Sequence, residues 1–401
     1  MFIQNFLTWN AGNECPRDYI LWTAYGVLSM AIGPRIWFDA KQFFVDPKLY
    51  IILTGNSGNR KTFGMDRGVD MLRAAFPDVI LSGECESHQG ILRFMDNPAQ
   101  QRSFQHPDGY EFKYHPYGLF ASELMDYLCI NPISFVNFLT NIYDRKVYIY
   151  RLSASERKLV NPYLVMCSCT TDDWFTQQLN ARTFGQGYGR RSIIVFAERY
   201  KRMIIYYNAE HEKARLACVE WLQQLPSIVG EMIVDPNLLA YTNKWYLSIQ
   251  DVDDVFLNAW RGTKHVLMWK VAMLTSIAER LDRIVTRSHI DLAIDLIDQI
   301  ESRLPIITDR MGRSELIEPI QAVLLYIRQK GGYVPEKELR ATMLKHFKTT
   351  LELFNVLQHL SVTDQIVVRP FTLADGVERK YIALPECVRK LENQPKKEPS
   401  K

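Results

Sequence analysis

Between Tyr50 and Thr62 the chain reads Tyr-Ile-Ile-Leu-Thr-Gly-Asn-Ser-Gly-Asn-Arg-Lys-Thr. An apolar, β-branched run opens into a loop bearing Gly55 and Gly58, and Lys61-Thr62 begins a helical pattern of Met65, Val69, Leu72 and Phe76. Those residue types in that order can hold a phosphate. Backbone N–H groups along Gly55, Asn56, Ser57, Gly58, Asn59 and Arg60 wrap the phosphate oxygens, and the helix N-terminus adds its partial positive charge. Lys61 reaches the outer phosphates of a nucleotide such as ATP, and the Thr62 hydroxyl can hold Mg2+. The place before the lysine, where such loops usually carry glycine, is Arg60. The backbone there must therefore adopt a conformation that a side chain tolerates.

A loop that turns its nucleotide over needs a carboxylate beside it. Tyr117-Gly-Leu-Phe-Ala-Ser122-Glu123-Leu-Met-Asp126 is an apolar strand ending in an acidic residue, the pattern from which P-loop ATPases draw a metal-holding carboxylate followed by a catalytic one. Ser122 stands in the first place, where it can orient a metal-bound water. Glu123 stands in the second, as a candidate catalytic base or else as a solvent-facing glutamate at a helix start. Asp126 follows one helical turn after Ser122. Another apolar strand, from Asn161 onward, ends in the hydroxyls of Ser168, Thr170 and Thr171. Arg190 and Arg191 sit in a glycine-rich loop just before the strand Ser-Ile-Ile-Val-Phe at 192–196, and Arg261 and Lys264 lie one helical turn apart ahead of an apolar helical face. Residues 147–160 read as a hairpin with a polar, basic tip marked by Arg151, Arg157 and Lys158. Salt-bridged loops, solvated turns and surface charges are the plainer readings of these cations.

These residues need elements to position them. Residues 1–47 read as a helical segment, with an apolar helix over 19–32 stopped by Gly33-Pro34. Residues 48–208 read as an α/β nucleotide core, with Val79-Ile-Leu-Ser82 as a second core strand and a hairpin signal around His106-Pro-Asp-Gly109. Residues 209–304 read as mostly helical, with helices over 212–225, 252–282 and 288–304. Residues 305–314 carry few periodic apolar positions and read as a linker. Residues 315–390 then give three helices and a two-strand wing, the pattern of a winged helix, with Lys348 at the head of its third helix and Arg369, Arg379 and Lys380 along the wing. The last residues, 391–401, read as a disordered polar tail.

Composition bounds the class. At 401 residues the chain has room for two or three cores, and its 47% hydrophobic and 23% charged residues exclude a disordered or fibrous protein. A net charge of +3 announces no nucleic-acid partner, so any DNA contact must come from local basic patches. The seven cysteines show no metal-type pairing, and Cys167 and Cys169 read as core thiols of a buried strand. The first residues lack a signal-peptide pattern and no apolar run reaches membrane-spanning length, so a reducing cytoplasm is the expected location.

Taken in order, Cys15-Pro16 before a helix, Gly55-x-x-Gly58-x-Arg60-Lys61-Thr62, Ser122-Glu123, the Pro162 strand with Thr170, Gly189-Arg190-Arg191, a helical lid and a winged helix resemble a group of phage and prophage replication ATPases. These belong to the AAA+ class with MCM-like helicases and often accompany primase domains. Arg261-x-x-Lys264 and Ile284-Val-Thr286…His289-Ile-x-x-Ala293 are similar to the lid of the MCM type. The resemblance implies an AAA+ core, a parallel sheet flanked by helices, with ATP and Mg2+ bound between the subunits of a ring, expected to be a hexamer. It implies that Glu123 activates water, that Thr170 positions it from the strand beside the loop strand, and that Arg190 or Arg191 reaches a neighbour's γ-phosphate. It further implies that Arg261 and Lys264 sense nucleotide from the lid, and that Arg151, Arg157 and Lys158 face DNA in a central channel. The activity so implied is a DNA helicase or translocase of phage or mobile-element replication, with a primase or another replication protein as partner. The alternative is a nucleotide-gated initiator or helicase loader that recognises DNA through its winged helix and hydrolyses ATP weakly or not at all. A defence or regulatory ATPase is a third reading.

Overall fold

The structure is a computed structural model that describes residues 1–83, 86–128, 131–152, 155–171, 187–197, 206–347, 349–372 and 378–388. The chain divides into two compact units, Met1–Thr308 and Asp309–Lys401.

The first unit is built on a five-stranded sheet of β1 (Tyr50–Thr54), β2 (Arg102–Gln105), β3 (Glu111–Ala121), β4 (Pro162–Thr170) and β5 (Ser192–Phe196), in the order β2-β3-β4-β1-β5. β3, β4, β1 and β5 run parallel, and β2 folds back antiparallel on β3. β1, β4 and β5 are buried along their whole length, which is why they read as unbroken apolar runs rather than alternating ones. The expected strand at 79–82 is reduced to one parallel bridge, Leu81 to Gly118. Beyond it the Ser82 hydroxyl contacts both the N–H and the carbonyl of Phe120, at 3.1 Å each, so a side chain does what a continuing strand would have done.

Helix Arg17–Ile32 is buried around most of its circumference, not along a single stripe. It is pressed between the sheet and other helices. A Cβ on Gly26 would stand 3.3 Å from Ile51, and one on Gly68 of helix Lys61–Ala75 would stand 2.6 Å from Thr23. Cys167 and Cys169 are buried thiols, as expected. The hairpin Val147–Leu152/Ser155–Val160 is present, with Arg151 opposite Glu156 and Ile149 opposite Lys158.

The helical region after residue 208 differs from expectation in three places. The stretch expected as one helix over 252–282 is two, Val255–Arg261 and Lys264–Glu279, parted at Gly262-Thr263. Between 225 and 252, where the sequence reading named no helix, lies the helix Pro236–Leu247, started by the Asp235 side chain accepting from the N–H of Asn237. The expected linker at 305–314 lies inside a helix, Arg287–Gln329. Few apolar positions suggested a linker, but Arg310, Met311, Arg313 and Glu315 are good helix formers, and only Pro305 and Gly312 oppose. The division between the two units falls within this helix.

The second unit packs the end of that helix, Glu336–Met343 and Thr350–Val362 around Val323, Leu339, Val356, Leu360 and Ile382. Its sheet has three antiparallel strands, with Glu378–Ala383 between Val367–Thr372 and a short strand, Tyr333–Pro335, that the sequence reading missed. The tail and residues 373–377 of the wing lie outside the described residues.

Candidate phosphate-binding site

β1 ends in the loop, and the loop is shaped by its neighbours. The Tyr19 hydroxyl lies 2.6 Å from the Thr54 carbonyl and 2.9 Å from that of Ala197, tying the ends of β1 and β5 to the preceding helix. A Cβ on Gly55 would fall 2.4 Å from that hydroxyl, so the position excludes side chains. Gly58 has φ +84°, and a Cβ there would meet nothing within 4 Å, leaving the exposed side of Asn56, Ser57 and Gly58 open as a cradle. Asn59 is buried and donates to the Ala197 carbonyl at 3.1 Å.

Arg60 adopts the left-handed conformation, φ 60° and ψ 25°, as the N-cap of helix Lys61–Ala75. Its guanidinium donates to Glu14 at 2.9 and 2.6 Å, and its carbonyl accepts from the Cys15 thiol at 3.4 Å. The Arg60 side chain makes no capping bond. The first N–H groups of the helix, on Lys61, Thr62 and Phe63, therefore keep their donors toward the loop. The Lys61 ammonium donates to the carbonyls of Gly55 and Asn56 at 2.6 and 2.9 Å, and only 7% of the residue is exposed. Thr62 is half-buried beside it.

The neighbouring strand ends meet this loop. Thr170 at the end of β4 is the register partner of Thr54, and it is fully buried. The Leu124 N–H donates to the Cys169 carbonyl at 2.8 Å, fastening the turn after β3, with Ser122 and Glu123, to the end of β4. Glu123 is exposed yet electrically coupled to Lys61. Partial burial pushes its carboxyl pKa up, the Lys61 charge pulls it back down, and Asp126 pushes it up again, for a net rise. Cys169 between them has a thiol pKa raised well above the usual value, by burial first. Lys61, Thr62, Glu123 and Thr170 are thus gathered at the carboxyl ends of parallel strands, the side of an open α/β sheet on which ligands bind.

The other candidates are placed differently. Arg191 is held by Asp144 and by the Gly187 carbonyl, at 2.9 Å and 2.7 Å for its Nε and one terminal nitrogen. Arg190 is exposed and its side chain makes no hydrogen bond or ion pair among the described residues. Arg261 and Lys264 point to helix Arg287–Gln329. Arg261 pairs with Glu301 at 2.6 Å, and Lys264 pairs with Asp298 at 2.5 Å and with Glu301. The sequence reading passed over Arg303 of that helix, which donates to Asp18 at 2.5 Å and to the Phe196 carbonyl at 2.9 Å, next to the loop's anchor at Ala197. Its only signal was a lone arginine in a helix, which by itself selects nothing.

Among the DNA-contact candidates, Arg157 is paired with Asp96 at 2.7 Å, Lys158 is exposed, and Arg151 lies in the hairpin strand. Lys348 lies outside the described residues. Arg369 and Arg379 are exposed and share one face of the wing, since Arg369 pairs with Tyr381 and Arg379 with Phe371, while Lys380 falls on the opposite face. Helix Thr350–Val362, expected to enter a groove, carries neither Lys nor Arg and exposes Leu351, Phe354 and Val362.

A nucleotide triphosphate fits this arrangement, because the Gly58 cradle is open and the uncapped helix start and Lys61 supply the donors and charge that phosphates require. For Mg2+ the chain offers the hydroxyls of Thr62 and Ser122, and among the described residues no three His, Cys, Asp or Glu side chains gather as a metal site. Among the described residues no helix is long and apolar enough to cross a membrane. No protein-family model matches the chain, and no curated protein is significantly similar to it in sequence.

Proposed function

We propose that the protein is a P-loop ATPase of the AAA+ class that couples ATP hydrolysis to movement on DNA, with its sites completed between the subunits of a ring. The observation that carries this reading is the strand order, in which β4, ending in the buried Thr170, lies between the loop strand β1 and β3, the strand that leads to Glu123. A strand ending in a hydroxyl, inserted between the loop strand and the strand of the acidic residue, supports the AAA+ assignment over a chance glycine turn.

In this reading the loop N–H groups and Lys61 hold the phosphates, and Thr62 and Ser122 would hold a Mg2+ ion, which would supply charge neutralisation when bound. Glu123 takes the proton of the attacking water and Thr170 orients that water. Arg190, exposed at the end of its loop, is the better candidate to complete a neighbour's site, because Arg191 is engaged within its own subunit. The second unit, three helices with a three-stranded sheet, supports a winged helix. The cations of its wing, rather than its third helix, are the groups suited to a phosphate backbone.

A second reading is favoured by Ser122, which replaces a charged metal ligand with a neutral one. It makes the protein a nucleotide-gated DNA-binding switch with slow turnover. Steady-state ATP hydrolysis with and without single-stranded DNA, at low salt so that backbone contacts are unscreened, separates the two. Strong stimulation by DNA supports the motor. Tight ATP binding with negligible turnover in both conditions supports the switch, and no ATP binding at all overturns both.

A further inference from the structure

A cavity of about 510 Å³ lies at the amino ends of the strands, the end of the sheet away from the phosphate loop. Resting on the DNA-binding part of the reading above, we propose that it is a site for single-stranded DNA, which stacks an unpaired base on Tyr110 and lays the adjoining phosphates on Arg145 and Lys146. Two hairpins meet there. One is β2–β3, whose turn runs through His106-Pro-Asp-Gly109, and the other is Val147–Leu152/Ser155–Val160. Asn161 ties their bases together. Its N–H donates to the Lys146 carbonyl at 2.6 Å, and its side chain donates to the Lys113 carbonyl at 2.9 Å. Phe104 is the register partner of Phe112, so alternation along the strands puts Phe104, His106, Tyr110 and Phe112 on one face of β2–β3. That face lines the cavity, while Ser103, Gln105, Glu111 and Lys113 on the other are exposed.

The rings form a column that ends open. Trp37 stacks on His106 with centroids 4.7 Å apart and planes 11° apart, and His106 stacks on Tyr110 at 4.4 Å and 18°. Tyr110 is 49% exposed and stacks on no second ring among the described residues. A further flat ring laid on it continues the column, and every base has such a face. Charge points to the same occupant. Arg145 and Lys146 are exposed in the same lining. Arg145 makes no hydrogen bond or ion pair among the described residues, and the Lys146 ammonium lies over the Phe44 ring at 5.0 Å. Of the carboxylates in the lining, Asp39 is paired with Lys41, Asp108 with His106 and Asp144 with Arg191, and Asp46 is shared by Lys48 and Lys270. That leaves Glu231 against the two cations. An aromatic column beside cations is the combination that holds single strands, rings taking bases and cations taking the backbone. A duplex keeps its bases stacked inside and offers none to Tyr110.

The test is fluorescence-anisotropy titration of the full chain, without ATP and at low salt. The labelled strands are oligothymidylate, oligouridylate and an oligomer of abasic deoxyribose phosphates, all of one length. Oligothymidylate should bind about 5- to 100-fold more tightly than the abasic strand, the range that stacking of one base gives. Tyr110→Ala should bring that ratio to within about twofold by weakening oligothymidylate alone, and Tyr110→Phe, which keeps the ring, should preserve it. Arg145→Ala combined with Lys146→Ala should weaken both strands and flatten the slope of log affinity against log salt by about 1.4, at about 0.7 per phosphate. Equal affinities for the thymidylate and abasic strands in the wild-type chain would overturn the base site and leave DNA binding standing, as would a preference that persists in Tyr110→Ala. An unchanged salt slope in the double variant would overturn the phosphate contacts. Tighter binding of oligouridylate than of oligothymidylate would overturn the assignment to DNA in favour of RNA. Failure of the wild-type chain to bind any of the strands would overturn both this site and the DNA-binding reading. Should Tyr110→Ala not fold, the wild-type ratio and Tyr110→Phe still decide.

Discussion

Arg60 donates two hydrogen bonds to a single oxygen of Glu14, at 2.9 and 2.6 Å. The pair holds a non-glycine backbone in the left-handed region directly before Lys61, which explains how this loop dispenses with its usual glycine. The left-handed conformation costs a side-chain-bearing residue about 1–2 kcal/mol. The partly exposed ion pair returns about 0–1 kcal/mol. Arg60→Gly should therefore leave stability within about 1 kcal/mol of wild type, while Arg60→Val, which keeps the strain and loses the pair, should fall clearly below both. Denaturant midpoints of the three proteins check this.

Glu123 yields a pH prediction with a definite sign. Its pKa in the folded chain is raised, by burial first and by Asp126, against the opposing charge of Lys61. If Glu123 is the proposed base, its carboxylate forms at a higher pH than that of an unperturbed glutamate, and the acid limb of kcat/KM for ATP should be shifted upward accordingly. Glu123→Gln should remove that limb and lower turnover about 10²- to 10⁴-fold while nucleotide affinity persists. A raised carboxylate pKa also means that the folded state loses stability as pH climbs through it. The uncharged Glu123→Gln chain should then melt at or above the wild-type temperature at pH 7, and not below it.

Arg190 and Arg191 are adjacent but should respond oppositely. Arg191→Ala leaves Asp144 and the Gly187 carbonyl without their donor, and should destabilise the chain by about 1–3 kcal/mol. Arg190→Ala should leave stability within about 0.5 kcal/mol, as an exposed substitution does, yet reduce turnover. If Arg190 acts in a neighbour's site, mixing the Arg190→Ala and Lys61→Ala proteins should recover part of the hydrolysis that each lacks alone.

What the sequence disclosed and what it hid divide along a physical line. The loop strand, the helix after it and Thr170 were legible because they depend on local pattern: a continuous apolar run, two glycines and a strand that ends in hydroxyls. Glu301 as the partner of Arg261 and Lys264 was not, since the pairs join residues 40 and 37 positions apart and leave no periodic trace. The same holds for the pairing of Tyr333–Pro335 with the Glu378–Ala383 strand. The helix through 305–314 was missed for another reason. Its formation there follows from backbone propensity, and the apolar spacing used to find helices was absent.

At the amino ends of the strands, Lys48 and Lys270, 3% and 4% exposed, share the single carboxylate of Asp46, at 3.6 and 3.3 Å. Burial lowers both lysine pKa values, against the pull of Asp46. Asp46→Asn leaves two buried cations with no counter-charge between them and should cost about 3 kcal/mol at pH 7. Lys270→Met should cost less, because a neutral Lys48–Asp46 pair remains. Since the folded lysines lose their protons more readily than the unfolded ones, the Asp46→Asn deficit should shrink as pH rises toward 9. Urea unfolding at the two pH values tests the sign.

The central claim is that the loop from Gly55 to Thr62 holds a nucleotide and that Lys61 is its principal charge. The most direct measurement is ATP binding and hydrolysis by the wild-type chain and by Lys61→Ala, purified and assayed side by side. The account predicts measurable affinity in the wild type, with most of it and nearly all turnover lost in Lys61→Ala while the melting temperature is retained. Hydrolysis at the wild-type rate by Lys61→Ala would contradict it.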